Sequence, residues 1–238
     1  MLANRIRMIS PSGGVPTRSL DFEASSSQYL SMSSANWGAY SRSKYGFSVW
    51  VKRETGTGDQ FILQKGDNGT RQEFQLQFAT SGELEARSYV SGSINGRIVT
   101  NATYTSTSAW YHIYYQFDST AASADRMRIW VNGTEVTSFA VDTNPSAATS
   151  TDTGIVLMGV QADLSLPFDG LMYQPSFFSG TLPTIGQLYN AGSPVNVIGL
   201  SGLWSLLNTN ATNALEDDYV LAANWTNNNT VIKSTTIP

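Results

Sequence analysis

The 238-residue sequence predicts an all-β protein, an antiparallel β-sandwich with one short helix. Short stretches rich in aromatic and β-branched residues recur along the chain, and many of them alternate between apolar and polar residues. Turn residues separate these stretches at regular intervals. Only Pro183 to Asn190 has the pattern of a helix, with Pro183 suited to its first turn and Gly192 just past its end. Many short strands and one helix are typical of a sandwich, which often runs to roughly 200–250 residues as one unit.

The centre of the predicted fold is Trp110 to Val141. Within it, Trp110 to Phe117 is aromatic and β-branched, and Met127 to Val131 alternates between the two faces of a strand. Asn132-Gly133 follows at once, and this dipeptide predicts a tight hairpin turn because both residues tolerate positive φ. Thr134 to Val141 is then the return strand.

The other strands are predicted from the same patterns. They are two short strands within Ser19 to Met32, then Phe47 to Lys52, Gln60 to Lys65, Glu73 to Phe78, Glu83 to Val90, Ile98 to Thr103, Ile155 to Val160, Phe168 to Phe178 and Val195 to Leu207, and one within Ala223 to Ile237. Pro175 interrupts Phe168 to Phe178. Since proline cannot donate to the ladder of a sheet, this strand is expected to lie at an edge or to end early.

Alternation also assigns one face of each strand to the core. The residues predicted to point inward are Phe47, Val49, Val51, Phe74, Leu76, Phe78, Tyr111, Ile113, Tyr115, Phe117, Met127, Ile129 and Val131. The opposite faces, which also carry Gln116, combine aromatic rings with amide and guanidinium groups, as sugar-binding surfaces do. The candidate ligand-binding residues are therefore Trp50, Gln75, Gln77, Trp110, His112, Tyr114, Arg128 and Trp130. The alternative is that these aromatics serve packing and that loops, the tail around Trp204 or a neighbouring subunit cover them.

Composition and charge exclude several classes of function. Charged residues are 13% of the chain, about half the usual share. The net charge of −4 and the lack of a basic run argue against a nucleic-acid partner. The absence of Cys excludes disulfides and thiolate metal sites. No stretch approaches the roughly 18 apolar residues of a membrane span, and the start has no apolar run of signal-peptide length.

Several motifs, taken in order, resemble the laminin-G-like, concanavalin A-type jelly roll, in particular its bacterial and phage branch. The most specific are Met127 to Val136, which resembles its "lklYVNGxxv" motif, and Phe168 to Gly192, which keeps Asp169, Gly170 and the ending Leu-Tyr-Asn-Ala-Gly. Matching strands occur at Ser19 to Met32, at Phe47 to Lys52, and at Ala109 to Asp118 with Trp110 and His112 in place. The resemblance implies a jelly-roll sandwich at residues 19–192. An N-terminal arm, residues 1–18, would precede it, and residues 193–238 would pack on it.

The sequence predicts no cofactor. Where this branch has an acidic pair near its first strand, this chain has Ser25, Ser26 and Ser27. The Asp-Glu of the branch is Tyr173-Gln174 here, and its helix Glu is Gly186. Calcium is therefore not supported by the motif carboxylates, although other Asp residues remain.

No catalytic residue is predicted either. A glycosidase of this architecture needs two carboxylates flanking the scissile bond, and the laminarinase-type Glu-x-Asp-x-x-Glu pattern is absent. Glu83 and Glu85 share a strand face with Arg87, which is typical of a solvated face. The sole histidine, His112, has no Cys partner, and no Ser lies in a nucleophile-elbow sequence. A structural histidine is the favoured interpretation.

These observations favour a non-enzymatic structural protein of a phage-like virion, as a capsid decoration, fibre or tail component, with glycan binding left open as a further role. Its partners would be virion proteins or further copies of itself in a homo-oligomer. The alternative is a secreted or cell-surface carbohydrate-binding module, which would be extracellular and bind cell-surface glycans. A glycoside hydrolase or lyase ranks third. Arg5, Arg7 and Arg18 make the arm basic, so the arm is expected to attach to an acidic neighbour.

Overall fold

The computed structural model describes residues 16–67, 71–150, 153–207, 218, 220 and 225–238. In chain order the strands are β1 Ser19–Phe22, β2 Tyr29–Met32, β3 Lys44–Arg53, β4 Gln60–Asp67, β5 Arg71–Phe78, β6 Glu83–Val90, β7 Ser93–Thr103, β8 Tyr111–Asp118, β9 Met127–Val131, β10 Thr134–Glu135, β11 Phe139–Thr143, β12 Val156–Met158, β13 Gly170–Ser179, β14 Tyr189–Asn190, β15 Ser193–Pro194, β16 Leu203–Leu206, β17 Thr226–Asn228 and β18 Ile232–Ser234. One α-helical turn, α1, spans Ser34–Trp37, and three 3-10 turns span Ala24–Ser26, Ser123–Asp125 and Ile185–Gln187.

The strands form two antiparallel sheets that pack face to face. Sheet A has the order β10-β9-β8-β3-β13-β1-β18, with β16 also paired to β13. Sheet B has the order β11-β7-β6-β5-β4-β12-β2-β17, and β14 and β15 form a separate hairpin. The predicted fold class, an antiparallel sandwich, is confirmed.

The core between the sheets contains the side chains that alternation predicts. Of the thirteen predicted inward residues, twelve are buried in one cluster, and Tyr111 packs against that cluster but is partly exposed. Aromatic rings dominate one end of the core, where Tyr45 stacks on Phe117 at 5.0 Å and on Phe177 at 5.9 Å between ring centroids. Offset rings at such distances add to the energy of area burial alone.

The hairpin turn is also confirmed. Asn132 has φ 49° and Gly133 has φ 79°, as a tight primed turn requires, and Thr134 then pairs with Val131. The return strand is not continuous, however. β10 pairs with β9 in sheet A, whereas β11 crosses to sheet B and pairs with β7. The two strands within Ser19 to Met32 also belong to different sheets, β1 to sheet A and β2 to sheet B.

Two predictions about local structure are wrong. β13 does not lie at an edge, because it pairs with β3 along one side and with β1 and then β16 along the other. The change of partner and a register shift between Tyr173 and Ser176 leave Pro175 outside the ladder, which is how a proline is tolerated in a central strand. The predicted helix at Pro183 to Asn190 is only the 3-10 turn Ile185–Gln187, since Tyr189 already belongs to the next hairpin.

The residues beyond position 192 contribute strands rather than only a covering layer. β16 and β18 belong to sheet A and β17 belongs to sheet B, so both sheets continue past the boundary predicted there. Of the predicted arm, residues 1–15 lie outside the described residues. Pro16, at its end, is buried, and its carbonyl accepts a hydrogen bond from Tyr173 Oη at 2.6 Å. No helix in the described part of the chain is long and apolar enough to cross a membrane.

Candidate functional site

The outward-facing aromatic residues of sheet A are covered by a later part of the same chain. Trp50 on β3, His112 and Tyr114 on β8 and Trp130 on β9 all point away from the core, yet each is less than 9% exposed. Residues 180–202, called the covering segment below, lie over this face. Its apolar side chains pack with Tyr114 and Trp130 in a second cluster whose other fully buried members are Phe178, Leu188, Val197 and Leu206.

Tyr189 of the covering segment contacts residues from several of the sequence motifs that carry the family resemblance. Its ring stacks on Trp50 with centroids 5.5 Å apart and planes 21° apart, and it lies 5.5 Å from His112. Gly133 of the hairpin turn approaches so closely that a Cβ there would come within 2.5 Å of the Tyr189 ring. The motifs around Trp50, His112, Gly133 and Tyr189 therefore build one packing interface.

His112 is part of that interface rather than a reactive group. Its Nε2 hydrogen-bonds with Ser48 Oγ at 2.9 Å, and burial lowers the pKa of the imidazole to about 3. Neither His112 Nδ1 nor Trp50 Nε1 has a hydrogen-bond partner among the described residues. Because the ring is held neutral and enclosed by aromatic neighbours, it suits a structural role.

The eight candidate ligand-binding residues do not form one surface. Trp50, His112 and Tyr114 are enclosed beneath the covering segment, so the expectation of an open aromatic face is corrected. Gln75 and Gln77 are buried on β5 of sheet B, on the other side of the sandwich. Trp110 is partly exposed just before β8. Alternation separates inward from outward side chains, but it does not show which outward faces another segment covers.

Arg128 and Trp130 line an open pocket of about 540 Å³ at the end of the covered face. One wall is the sheet, where Gln116 pairs across the β8–β9 ladder with Arg128 and Glu135 pairs across the hairpin with Trp130. The opposite wall is residues 180–185 of the covering segment. Lys44 and Asp118, which pair across the β3–β8 ladder, complete the lining. The volume lies within the range of about 300–1,000 Å³ that is usual for small-ligand sites.

Two ion pairs occupy the rim of the pocket. Arg128 and Glu135 form a bidentate pair, with Nε–Oε1 and Nη2–Oε2 both at 2.6 Å, and Lys44 Nζ lies 2.8 Å from Asp118 Oδ2. The Arg128 guanidinium also lies 4.8 Å from the centroid of the Trp130 ring. Burial acts to raise the pKa of the Asp118 carboxyl, but hydrogen bonds from Lys44 and Thr120 outweigh it and the pKa falls below its ordinary value.

Hydrogen bonds fix the side chain of Gln116 in the pocket lining. Gln116 Nε2 donates to Tyr114 Oη at 2.7 Å and to the Pro183 carbonyl at 3.4 Å, and Tyr114 Oη donates to the same carbonyl at 3.0 Å. These bonds tie β8 to the covering segment and orient the Gln116 amide. Its nitrogen is committed to the protein, whereas its carbonyl oxygen has no partner among the described residues and can act as an acceptor.

Sequence reasoning missed Lys44, Asp118, Glu135 and the 180–185 wall. The position of Glu135 could have been predicted, because a two-residue turn at Asn132-Gly133 fixes the register and places position 135 opposite position 130. The Lys44–Asp118 pair could not, since it depends on the pairing of two strands that are distant in sequence.

The outer face of sheet B, called the polar face below, is built differently. The Glu85 carboxylate is 3% exposed because Arg87 Nε and Arg97 Nε both donate to its Oε1, the latter at 2.6 Å. Next to them, Tyr89 Oη donates to Gln75 Oε1 at 2.7 Å. The prediction that Glu85 and Arg87 form a solvated face is corrected for Glu85, which the arginines cover. Burial acts to raise the pKa of the Glu85 carboxyl, but the hydrogen bonds from Arg97 and Arg87 outweigh this effect. The pKa therefore lies below its ordinary value.

Comparison with known proteins identifies relatives by sequence profile and by structure. The profile of the "Concanavalin A-like lectin/glucanases superfamily" matches residues 24–184, and no curated protein matches the sequence. Among solved structures, a candidate carbohydrate-binding protein from Bacteroides ovatus has a TM-score of 0.64 at 17% identity, over 93% of this chain and 60% of that one. The native heptameric SAP-like pentraxin from Limulus polyphemus has a TM-score of 0.61 at 13% identity, over 93% and 96%. Domains LG4-5 of the mouse laminin alpha1 chain give 0.51 at 12%, over 71% and 44%.

Proposed function

The chain belongs to the concanavalin A-like lectin/glucanases superfamily, and from this premise we propose that it is a carbohydrate-binding domain without catalytic activity. The pocket between β8, β9 and residues 180–185 carries the proposal, because it is an open cavity in which charged, amide and aromatic groups converge. Such groups match the two surfaces of a sugar, since polar side chains bond its hydroxyls and an aromatic ring contacts its C–H face.

The likeness to the Bacteroides ovatus protein supports this proposal at the level of the fold. That protein is described as a candidate for carbohydrate binding, and its superposition covers nearly all of this chain. This chain spans 60% of the length of that protein.

The chemistry of the pocket favours binding over hydrolysis. A glycosidase needs one carboxyl that stays protonated to act as the general acid, which requires a raised pKa. Asp118 has a lowered pKa and is paired with Lys44, and Glu135 is held in a bidentate pair with Arg128. Both carboxylates are therefore arranged as hydrogen-bond acceptors.

A glycan array probed with the labelled chain and with two variants tests the proposal. Arg128→Ala removes a charged donor from the pocket and is expected to weaken binding roughly ten- to hundredfold, since such hydrogen bonds contribute about 1.5–3 kcal/mol. Arg97→Ala is the matched control, because it removes an equally exposed guanidinium from the polar face. Failure of the unaltered chain to bind any glycan would overturn the proposed function. Equal losses in both variants would show that the pocket is not the site.

The finer prediction from the sequence, a structural component of a phage-like virion, is retained as a proposal. It is supported by the order of the motifs and by the low share of charged residues, and glycan binding in the pocket would suit a virion or an extracellular location. Assembly into a homo-oligomer belongs to the same proposal. Mass spectrometry of purified particles, together with light scattering of the isolated chain, tests both parts; a strict monomer that is absent from particles would contradict them.

A further inference from the structure

We infer that the pocket selects neutral sugars over acidic ones, because each cationic side chain at its rim is already neutralised by a carboxylate. The inference rests on the proposed function and names the class of ligand that the same site would take. The four charged side chains that line the pocket are Lys44, Asp118, Arg128 and Glu135, and their formal charges sum to zero.

The pairing of these groups matters more than their number. Glu135 engages Arg128 through both carboxylate oxygens at 2.6 Å, which is the strongest geometry available to a guanidinium. Lys44 is bound to Asp118 at 2.8 Å. The carboxylate of an acidic sugar would have to displace Glu135 from Arg128 or Asp118 from Lys44, and a displaced carboxylate would then lie beside the incoming negative charge. Two neighbouring negative charges repel each other, and this repulsion opposes binding of the acidic sugar.

Neutral hydroxyl groups face no such competition. Arg128 uses its Nε and Nη2 on Glu135, and its Nη1 has no partner among the described residues. Lys44 has three donors, of which Asp118 takes one. The carboxylates retain acceptor capacity beside these donors, and the Gln116 carbonyl adds another acceptor. A hydroxyl both donates and accepts, so adjacent hydroxyls of a neutral ring can use donor and acceptor together without breaking either ion pair.

The pairs are also placed where they can meet a ligand. The side chains of Arg128 and Glu135 are 37% and 33% exposed, and that of Lys44 is 37% exposed, so their free hydrogen-bonding positions are open to solvent. Removing one carboxylate should therefore change the preference of the pocket without disrupting the core.

The test compares neutral oligosaccharides with their sialylated counterparts on one array, for the unaltered chain and two variants of equal charge. Glu135→Gln frees Arg128 to bind an anion, whereas Glu83→Gln makes the same change of charge on β6 of sheet B. The unaltered chain should bind the neutral member of each pair at least about tenfold more tightly. Glu135→Gln should reduce that preference by about tenfold or more, and Glu83→Gln should leave it unchanged.

Each other outcome has a distinct meaning. Tighter binding of the sialylated members by the unaltered chain would overturn the inference while leaving the proposed function intact. An unchanged preference in Glu135→Gln would also overturn it, because the Arg128–Glu135 pair would then not set the selectivity. Absence of binding to every glycan would instead overturn the proposed function. Circular dichroism of Glu135→Gln checks that the variant is folded.

Discussion

The outward side chains of the two sheets are buried by different kinds of contact. On sheet A the outward residues Trp50, His112, Tyr114 and Trp130 are large rings, and the covering segment shields them from water. On the polar face of sheet B the corresponding residues are amides, guanidinium groups and the Glu85 carboxylate, which bond to one another. Rings can be buried by apolar cover alone, whereas buried polar groups require partners.

The difference teaches where a ligand can bind. On sheet A the cover is incomplete at the pocket, where Trp130, 8% exposed, contributes to the lining beside Arg128. No segment among the described residues covers the polar face in this way, and its groups are committed to internal hydrogen bonds. The five predictions below follow from these arrangements, from the largest expected effect to the smallest.

Truncating Trp50 should be far more costly than truncating an arginine on the polar face. Trp50→Ala removes a ring that is 3% exposed and stacked on Tyr189, and losses of about 3–5 kcal/mol are usual for such changes. Arg97→Ala removes one donor to the buried Glu85 carboxylate, but Arg87 still donates to it, so a smaller loss of about 1–2 kcal/mol is expected. Urea denaturation measures both. Similar losses would mean that the covering segment contributes little to stability.

Acid should destabilise the two faces in different pH ranges. The unfolded chain protonates His112 near pH 6.5, while the folded chain keeps it neutral to about pH 3, so the free energy of unfolding falls as pH drops below 6.5. By pH 5 the loss is about 2 kcal/mol. Glu85 has a folded pKa below its ordinary value of 4.5, so its stabilising effect is present above pH 4.5 and is lost only at lower pH.

Denaturation midpoints measured from pH 7 to pH 4 separate the two contributions. His112→Gln should remove the decline between pH 6.5 and 5, because His112 is the sole histidine of the chain. Glu85→Gln should leave that decline in place and weaken the one that follows below pH 4.5. A decline that persists in His112→Gln would show that the buried imidazole is not its cause.

Substituting Gly133 should disturb the contact between the hairpin turn and the covering segment. Gly133→Ala places a Cβ within 2.5 Å of the Tyr189 ring at a residue with φ 79°, so a loss of about 1–2 kcal/mol is expected. Gly58 also has a positive φ, 87°, but a Cβ there would have no neighbour within 4 Å. Gly58→Ala is therefore the control for backbone strain alone. Thermal melts that show equal losses would contradict the role assigned to Tyr189.

The smallest effect concerns the carboxylates at one end of sheet A. Burial and then the nearby Glu23 and Asp169 raise the pKa of Asp21. Asp21→Asn should therefore stabilise the chain at pH 7, by less than about 1 kcal/mol, and the gain should disappear near pH 3 once the carboxyls are protonated.

Among the described residues, no group of three or more His, Cys, Asp or Glu side chains could hold a metal ion. Because the motif carboxylates of the family branch are replaced in this chain, we expect a chelator to leave the melting temperature unchanged. A fall of more than a few degrees would contradict the prediction that calcium is not required.

The strand pattern of the sequence is sufficient to predict part of this structure. The inward set on β3, β5, β8 and β9, the hairpin at Asn132-Gly133 and the antiparallel class follow from a period of two residues and from the conformations that Asn and Gly allow. The same hairpin register already places Glu135 beside Trp130. These are properties of neighbouring residues, so no long-range contact is needed to obtain them.

Only the tertiary structure decided which outward residues are accessible. Trp50 and Gln75 both alternate away from the core, but whether a residue is covered by Tyr189 or by arginine side chains depends on segments distant in sequence. Pro175 is tolerated because β13 changes partner at that point, and the pocket exists because residues 180–185 lie against β8 and β9. Local sequence fixes the direction in which a side chain points, whereas the packing of distant segments determines what it meets there.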